Sequence, residues 1–136
     1  ENTISTAVFG VPAVKAIEFG SGMNVANLLG SENNDAYEVR NDSVVPTTNH
    51  AGGVLGGIST GAPIWFRCAL KPISSIGLSQ RSVNLQTMKS EQLVVQGRHD
   101  VTAVLRAVPC IESAFALALL DTLYSWPSEQ NGYHND

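Results

Sequence analysis

Charge is scarce in this sequence. Only 15% of its 136 residues are Asp, Glu, Lys or Arg, against about 25% in an ordinary soluble domain. A disordered tail would carry more charge and less apolar residue than the 43% found here, so that class is excluded. A basic excess is missing too. Eight Lys and Arg face twelve Asp and Glu, a net charge of -4, which argues against a nucleic-acid partner. No apolar run approaches the ~20 residues that a membrane span needs, so no membrane partner is expected either. Cysteine is nearly absent. Cys68 and Cys110 are too few and too far apart for a disulfide framework or a zinc site, and no metal is expected. Glu1 opens the chain without a basic start or an apolar stretch. The expectation is a cytoplasmic globular domain, or part of one.

What is present reads as an α+β domain. Ile4 to Phe9 has the look of the last turns of a helix that begins before Glu1. Ala13 to Phe19 alternates apolar with polar or small residues, the period of a strand. Met23 to Leu29 suits a short helix, with Ser21 as cap. The polar stretch Ser31 to Asn49 reads as a loop or covering flap. Two runs, Gly52 to Ile58 and Pro63 to Leu70, read as a hairpin joined at Ser59 to Gly61. Arg81 to Leu85 and Gln92 to Val95 are further strands. The strongest helix is Pro109 to Tyr124, with Pro109 in its first turn and Cys110, Ala114, Leu117, Ala118 and Leu120 at helical spacing. The expected architecture is an antiparallel sheet around the Val54–Leu70 hairpin with this helix on one face. Residues 126–136 read as a polar tail.

Three motifs carry chemistry. The glycines around Val54 and Leu55 lack the Gly-Lys-Ser/Thr ending of a phosphate loop. By themselves they suit a tight hairpin; the rival is a flat ring pressed on backbone, which needs residues without side chains. Lys71-Pro72-Ile73-Ser74-Ser75 offers a cation, two hydroxyls and free backbone N–H groups, a set suited to an anionic phosphate tail. An ordinary strand exit would look similar. Arg98-His99-Asp100 groups a fixed cation, an imidazole and a carboxylate. Arg suits bidentate binding of phosphate or carboxylate, and Asp or His can move a proton; a structural ion pair and helix cap is the plainer reading. His50 is expected to bond backbone rather than a metal, and His134 to be inert. Cys68 and Cys110 read as small core residues.

The order of the motifs is more specific than any one of them. Val11-Pro12-Ala13-Val14-Lys15, Gly30-Ser31-Glu32-Asn33-Asn34-Asp35, Thr48-Asn49-His50-Ala51-Gly52-Gly53-Val54-Leu55-Gly56-Gly57-Ile58-Ser59, Lys71-Pro72-Ile73-Ser74-Ser75-Ile76, Gly97-Arg98-His99-Asp100 and Arg106-Ala107-Val108-Pro109 follow one another. This set closely resembles the C-terminal part of the chorismate synthase family, from Val11 to about Leu123. The resemblance implies a layered sheet-and-helix sandwich and makes residues 1–136 the C-terminal part of a subunit whose N-terminal part is missing. It implies the conversion of 5-enolpyruvylshikimate 3-phosphate to chorismate, with reduced FMN as cofactor, NADPH as a candidate reductant and a homotetramer as the assembly. Carried over residue by residue, it assigns flavin contacts to Pro12, Ala13, Gly56, Lys71, Pro72, Ile73, Ser74, Ser75 and Arg98, and proton handling to Asp100. Val101 and Thr102 depart from the Pro-Cys that many relatives carry after Arg-His-Asp. The family's catalytic histidines and substrate-binding arginines have no counterpart among these motifs. The alternative is a flavin-binding or assembly fragment that is inactive by itself. An unrelated α+β domain with coincidental motifs is a third reading.

Overall fold

A computed structural model describes residues 1–125. The expected polar tail 126–136 and His134 lie outside the described residues. Helix α1 spans Asn2–Phe9, and strand β1 spans Val14–Phe19. A 3-10 helix at Gly22–Asn27 and a short helix α2 at Gly30–Asn33 follow. Next come β2 (Tyr37–Arg40), β3 (Ser43–Pro46), β4 (Val54–Leu55), β5 (Ile58–Ser59), β6 (Phe66–Leu70), β7 (Gln80–Asn84) and β8 (Lys89–Leu93). Helix α3 runs from Val104 to Ser125. Among the described residues all strand pairs are antiparallel, and they form four two-stranded ribbons: β1–β6, β2–β3, β4–β5 and β7–β8. The fold is α+β.

The core lies where α1 and α3 meet the β1–β6 pair. Ile4 and Val8, one helical turn apart, are buried with Val14 and Ala118. Ile111, Ala114 and Phe115 bring the same stripe of α3 onto this cluster. Phe66 links sheet to helix, with its ring 5.5 Å from Phe19 and 5.3 Å from Phe115, distances at which edge-to-face attraction adds to burial.

Several expectations need correction. The Val54–Leu70 segment is not one hairpin. Gly56 and Gly57, at φ 60° and 83°, make the tight turn between β4 and β5, as a two-residue loop matched to strand twist requires. The chain then leaves through Pro63, and β6 pairs with β1 instead. The stretch Ser31–Asn49 is not a plain loop, because α2 and the β2–β3 ribbon lie within it. That ribbon turns at Asn41 and Asp42, at φ 50° and 58°, a conformation these two side chains tolerate. The last helix starts five residues before Pro109, which stands inside it. Proline there leaves the Leu105 carbonyl without its helical donor. Leu105 is 82% exposed, where water satisfies such a carbonyl. Cys110 is exposed rather than a core residue; its thiol donates to the Arg106 carbonyl at 3.4 Å.

Much of α3 faces outward without cover. Leu117, Leu120 and Leu123 are exposed, and apolar area of this kind marks an interface. The 136 residues by themselves should therefore self-associate. Light scattering after size exclusion checks this: a mass well above 14.4 kDa is expected, and a strict monomer would contradict it.

Candidate functional site

The β1–β6 register decides which expected site residues meet. Val14 stands opposite Leu70. The Lys71 backbone N–H continues the ladder by donating to the Ala13 carbonyl at 2.7 Å. Pro12, Ala13 and the start of the Lys71–Ser75 loop therefore lie side by side at one end of the ribbon. Ala13 holds φ 72°, a left-handed conformation that costs a non-glycine residue about 1–2 kcal/mol. Backbone of this kind persists where its surroundings fix it, and such residues cluster at functional sites. Beyond Lys71 the chain is irregular up to Gln80, and the side chains of Lys71, Ser74 and Ser75 are exposed. Gln80 steadies the loop by donating through Nε2 to the Ser74 carbonyl at 3.2 Å.

The Arg98-His99-Asp100 segment approaches the same loop through His99. Its Nε2 is 3.0 Å from the Val95 carbonyl, and the ring edge lies beside Gly77. Arg98 is exposed, and no carboxylate pairs with it among the described residues. Asp100 Oδ1 forms an ion pair with Arg106 Nη2 at 3.1 Å, and the two side chains remain 53% and 70% exposed. Asp100 is not the cap of α3, because the Val104 N–H is taken by Thr102 Oγ1 at 3.2 Å.

Gly56 is placed elsewhere. The root of its hairpin is stitched to the opposite end of the β1–β6 pair. Trp65 N–H donates to the Gly52 carbonyl at 3.1 Å, and Gly20 N–H to the Trp65 carbonyl at 3.4 Å. Gly56 sits at the tip, with open space where a side chain would stand. That opening suits close approach of a flat ring to backbone. The exposed cation and hydroxyls of Lys71, Ser74 and Ser75 suit a phosphate tail. By chemistry each part suits a piece of a flavin nucleotide, and the two parts lie at opposite ends of the β1–β6 pair. A groove of about 790 Å³, lined in part by Ile17, Phe19, Met23 and Cys68, contains none of these residues. Burial pushes the Cys68 thiol pKa up, which keeps it protonated and inert.

Sequence reasoning missed Asp35. Its Oδ1 accepts from the Thr48 hydroxyl at 2.6 Å and the His50 N–H at 2.7 Å, and its Oδ2 from the Ala51 N–H at 2.9 Å. The His50 ring faces it too, with Nδ1 at 3.3 Å from Oδ1, a charge contact and not a hydrogen bond, so the expected bond from this nitrogen to backbone is not made. The signal available was the acidic end of Gly30–Asp35, one motif before its partners. Burial raises the Asp35 pKa; the bonds from Thr48, Ala51 and His50 and the His50 ring outweigh it, and the net shift is downward from 3.8. A carboxyl whose folded pKa is depressed stabilises the fold above its unfolded pKa, and that contribution is lost as pH falls through the folded value. Wild type should therefore exceed Asp35→Asn in denaturant midpoint near neutral pH. The gap should shrink once pH drops below 3.8. A gap unchanged in strong acid would contradict this.

The fold and these groups define a class: an α+β module with anion-seeking groups at one edge of a strand pair and a glycine tip at the other. The family model described as chorismate synthase matches residues 1–124. The chorismate synthase of Lancefieldella parvula is 95% identical over 136 residues, all of this chain and 36% of that protein. The chorismate synthase of Pyrococcus abyssi is 49% identical over 123 residues, 90% of this chain and 35% of that protein. A crystal structure of chorismate synthase superimposes with a TM-score of 0.68 at 27% identity, over 90% of this chain and 29% of that one. The chain belongs to the chorismate synthase family. It spans about a third of the length of the curated relatives it matches. Among the described residues, no helix is long and apolar enough to cross a membrane.

Proposed function

We propose that this chain is the C-terminal, flavin-holding part of a chorismate synthase subunit. The reaction eliminates phosphate and the C6 proton of 5-enolpyruvylshikimate 3-phosphate in a 1,4 sense, giving chorismate. The observation that carries this reading is the Lys71 N–H bond to the Ala13 carbonyl. It joins two segments that are far apart in sequence and that the family resemblance assigns to one cofactor. When bound, reduced FMN supplies electron density as phosphate leaves and recovers it with the proton.

The chain's own residues bind, orient and move a proton. Lys71, Ser74 and Ser75 hold anionic oxygens of the cofactor tail with charge and N–H or O–H donors. Pro12, Ala13, Pro72 and Ile73 shape the seat, and Gly56 admits the ring. Arg98 neutralises an anionic oxygen of flavin or substrate. Asp100 would handle the proton, a role open to an exposed carboxylate. The remaining acid–base groups and the substrate-binding arginines belong to the N-terminal part of the subunit. The working enzyme is a cytoplasmic homotetramer, and NADPH is its candidate reductant.

Lys71→Met tests the seat in a full-length subunit that carries these residues. Loss of a charged hydrogen bond costs about 1.5–3 kcal/mol, so FMN affinity should fall roughly tenfold to a hundredfold. Flavin fluorescence quenching reads it, and unchanged affinity would move the phosphate tail elsewhere.

A further inference from the structure

Asp35 belongs to a motif that the flavin reading leaves without a task. Its side chain is only 11% exposed. One carboxylate gathers the Thr48 hydroxyl and the N–H groups of His50 and Ala51, across 13 to 16 residues of chain. Charge-assisted bonds of this length are the strong ones, and three on one group fix a backbone segment more firmly than a surface loop requires.

The held segment is the root of the glycine hairpin. Asn49 continues the fastening: its Nδ2 donates to the Pro63 carbonyl at 2.9 Å, and its Oδ1 accepts the Gly53 N–H at 2.7 Å. Thr60 N–H closes the root onto the Gly53 carbonyl at 3.0 Å. Gly52 is buried so closely against the Gly20 backbone that a Cβ there would overlap it. A cleft of about 400 Å³ runs from Asp35 and Ala51 to Leu55 on β4. Beyond this root the hairpin is held by little. Leu55, Gly56, Gly57 and Ile58 are exposed, and no atom stands near the Gly56 or Gly57 Cβ positions. A fastened root and a bare tip describe a pointer, and its aim is set at the root.

We infer that Asp35 is a positioning residue: through Thr48, His50 and Ala51 it aims the Val54–Ser59 hairpin, and with it Gly56, at the reduced flavin. The inference rests on the flavin reading above. It touches neither cofactor nor substrate. It acts by reducing the ordering that binding would otherwise require.

The test uses a full-length subunit carrying these residues, with FMN as probe. Asp35→Asn keeps the shape but lacks the charge and one acceptor oxygen. Amide exchange in the flavin-free protein should quicken at His50, Ala51 and Gly53. FMN affinity should fall on the order of tenfold, the size expected when bonds to a charged group are weakened. Gly56→Ala should also weaken FMN, and the double variant should lose less than the product of the two, because both act through one hairpin. Asp35→Asn with quickened exchange but unaltered FMN affinity would overturn the inference, leaving Asp35 as a fold residue. Fully independent losses, or a silent Gly56→Ala, would overturn it too. Should Asp35→Asn not fold, Thr48→Val removes one donor, keeps the carboxylate and carries the same readouts. A wild-type subunit that binds no FMN sinks the flavin reading itself; one that binds FMN while the variants bind equally sinks only the aiming role.

Discussion

Asp100→Asn in a full-length subunit should lower chorismate formation about 10²–10⁴-fold, the usual cost of removing a positioned proton carrier. The substitution keeps the shape of the side chain and removes the group that takes up a proton. FMN should still bind, because Lys71, Ser74, Ser75 and Arg98, the groups proposed to hold its anionic oxygens, are untouched. The structure narrows the rival explanation. Asp100 does not cap α3, whose Val104 N–H is bonded by Thr102. Its ion pair to Arg106, the only one it makes among the described residues, leaves both side chains more than half exposed, and exposed pairs of this kind contribute about 0–1 kcal/mol. A large fall in turnover with nearly unchanged stability is therefore the signature of chemistry. Near-normal turnover would remove Asp100 from the mechanism. Lost FMN binding with an equal loss of stability would make it structural.

Arg98→Ala should act on binding. Arg98 is exposed and no carboxylate pairs with it among the described residues, so its charge is available to an anion. Truncating one partner of a hydrogen-bonded charge pair that binding buries costs about 2–5 kcal/mol. Affinity for FMN or for substrate should fall by that amount, and comparing the two in separate titrations tells which oxygen Arg98 holds. Arg98→Lys should restore part of the loss only, because the charge returns without the planar fork. Full recovery with Lys would reduce Arg98 to a point charge. No change in either affinity would place it outside the site.

The fold was legible where pattern is local. Val14–Phe19 shows strand alternation and is β1; Ile4 and Val8 share a helical face and define α1. The ribbon of Gln80–Asn84 with Lys89–Leu93 came within a few residues of its expected strands. Turn chemistry was the harder part. Asn41-Asp42 and Gly56-Gly57 both adopt positive φ, yet the first was absorbed into a polar stretch and the second was passed over for Ser59–Gly61. Pro109 misled because proline at a first helical turn is common, whereas here the helix already exists before it. Strand partnership was beyond reach, since nothing local tells Phe66–Leu70 to choose Val14–Phe19 over the nearer β5.

The site divides in the same way. Lys71–Ser75 and Arg98–Asp100 are contiguous, so their charges and hydroxyls can be read directly from the sequence. The adjacency of Ala13 and Lys71 is a product of sheet register. The Asp35 clamp is a product of chain return, with partners at Thr48, His50 and Ala51 that no period connects. Cys110 shows the reverse error: helical spacing placed it in the core, and the stripe that is buried, Ala107 and Ala118 with Ile111, Ala114 and Phe115, passes it by.

On the proposed reading, these residues hold a reduced flavin for a phosphate-eliminating lyase that needs further parts of its subunit. The most direct measurement is an anaerobic assay of chorismate and released phosphate from 5-enolpyruvylshikimate 3-phosphate, with photoreduced FMN. It compares a full-length subunit carrying this sequence with the 136 residues by themselves. The expected result is chorismate and phosphate in equal amounts from the full-length protein, dependent on reduced FMN, and none from the 136 residues. Turnover by the full-length protein without flavin, or chorismate from the 136 residues by themselves, would contradict the assignment.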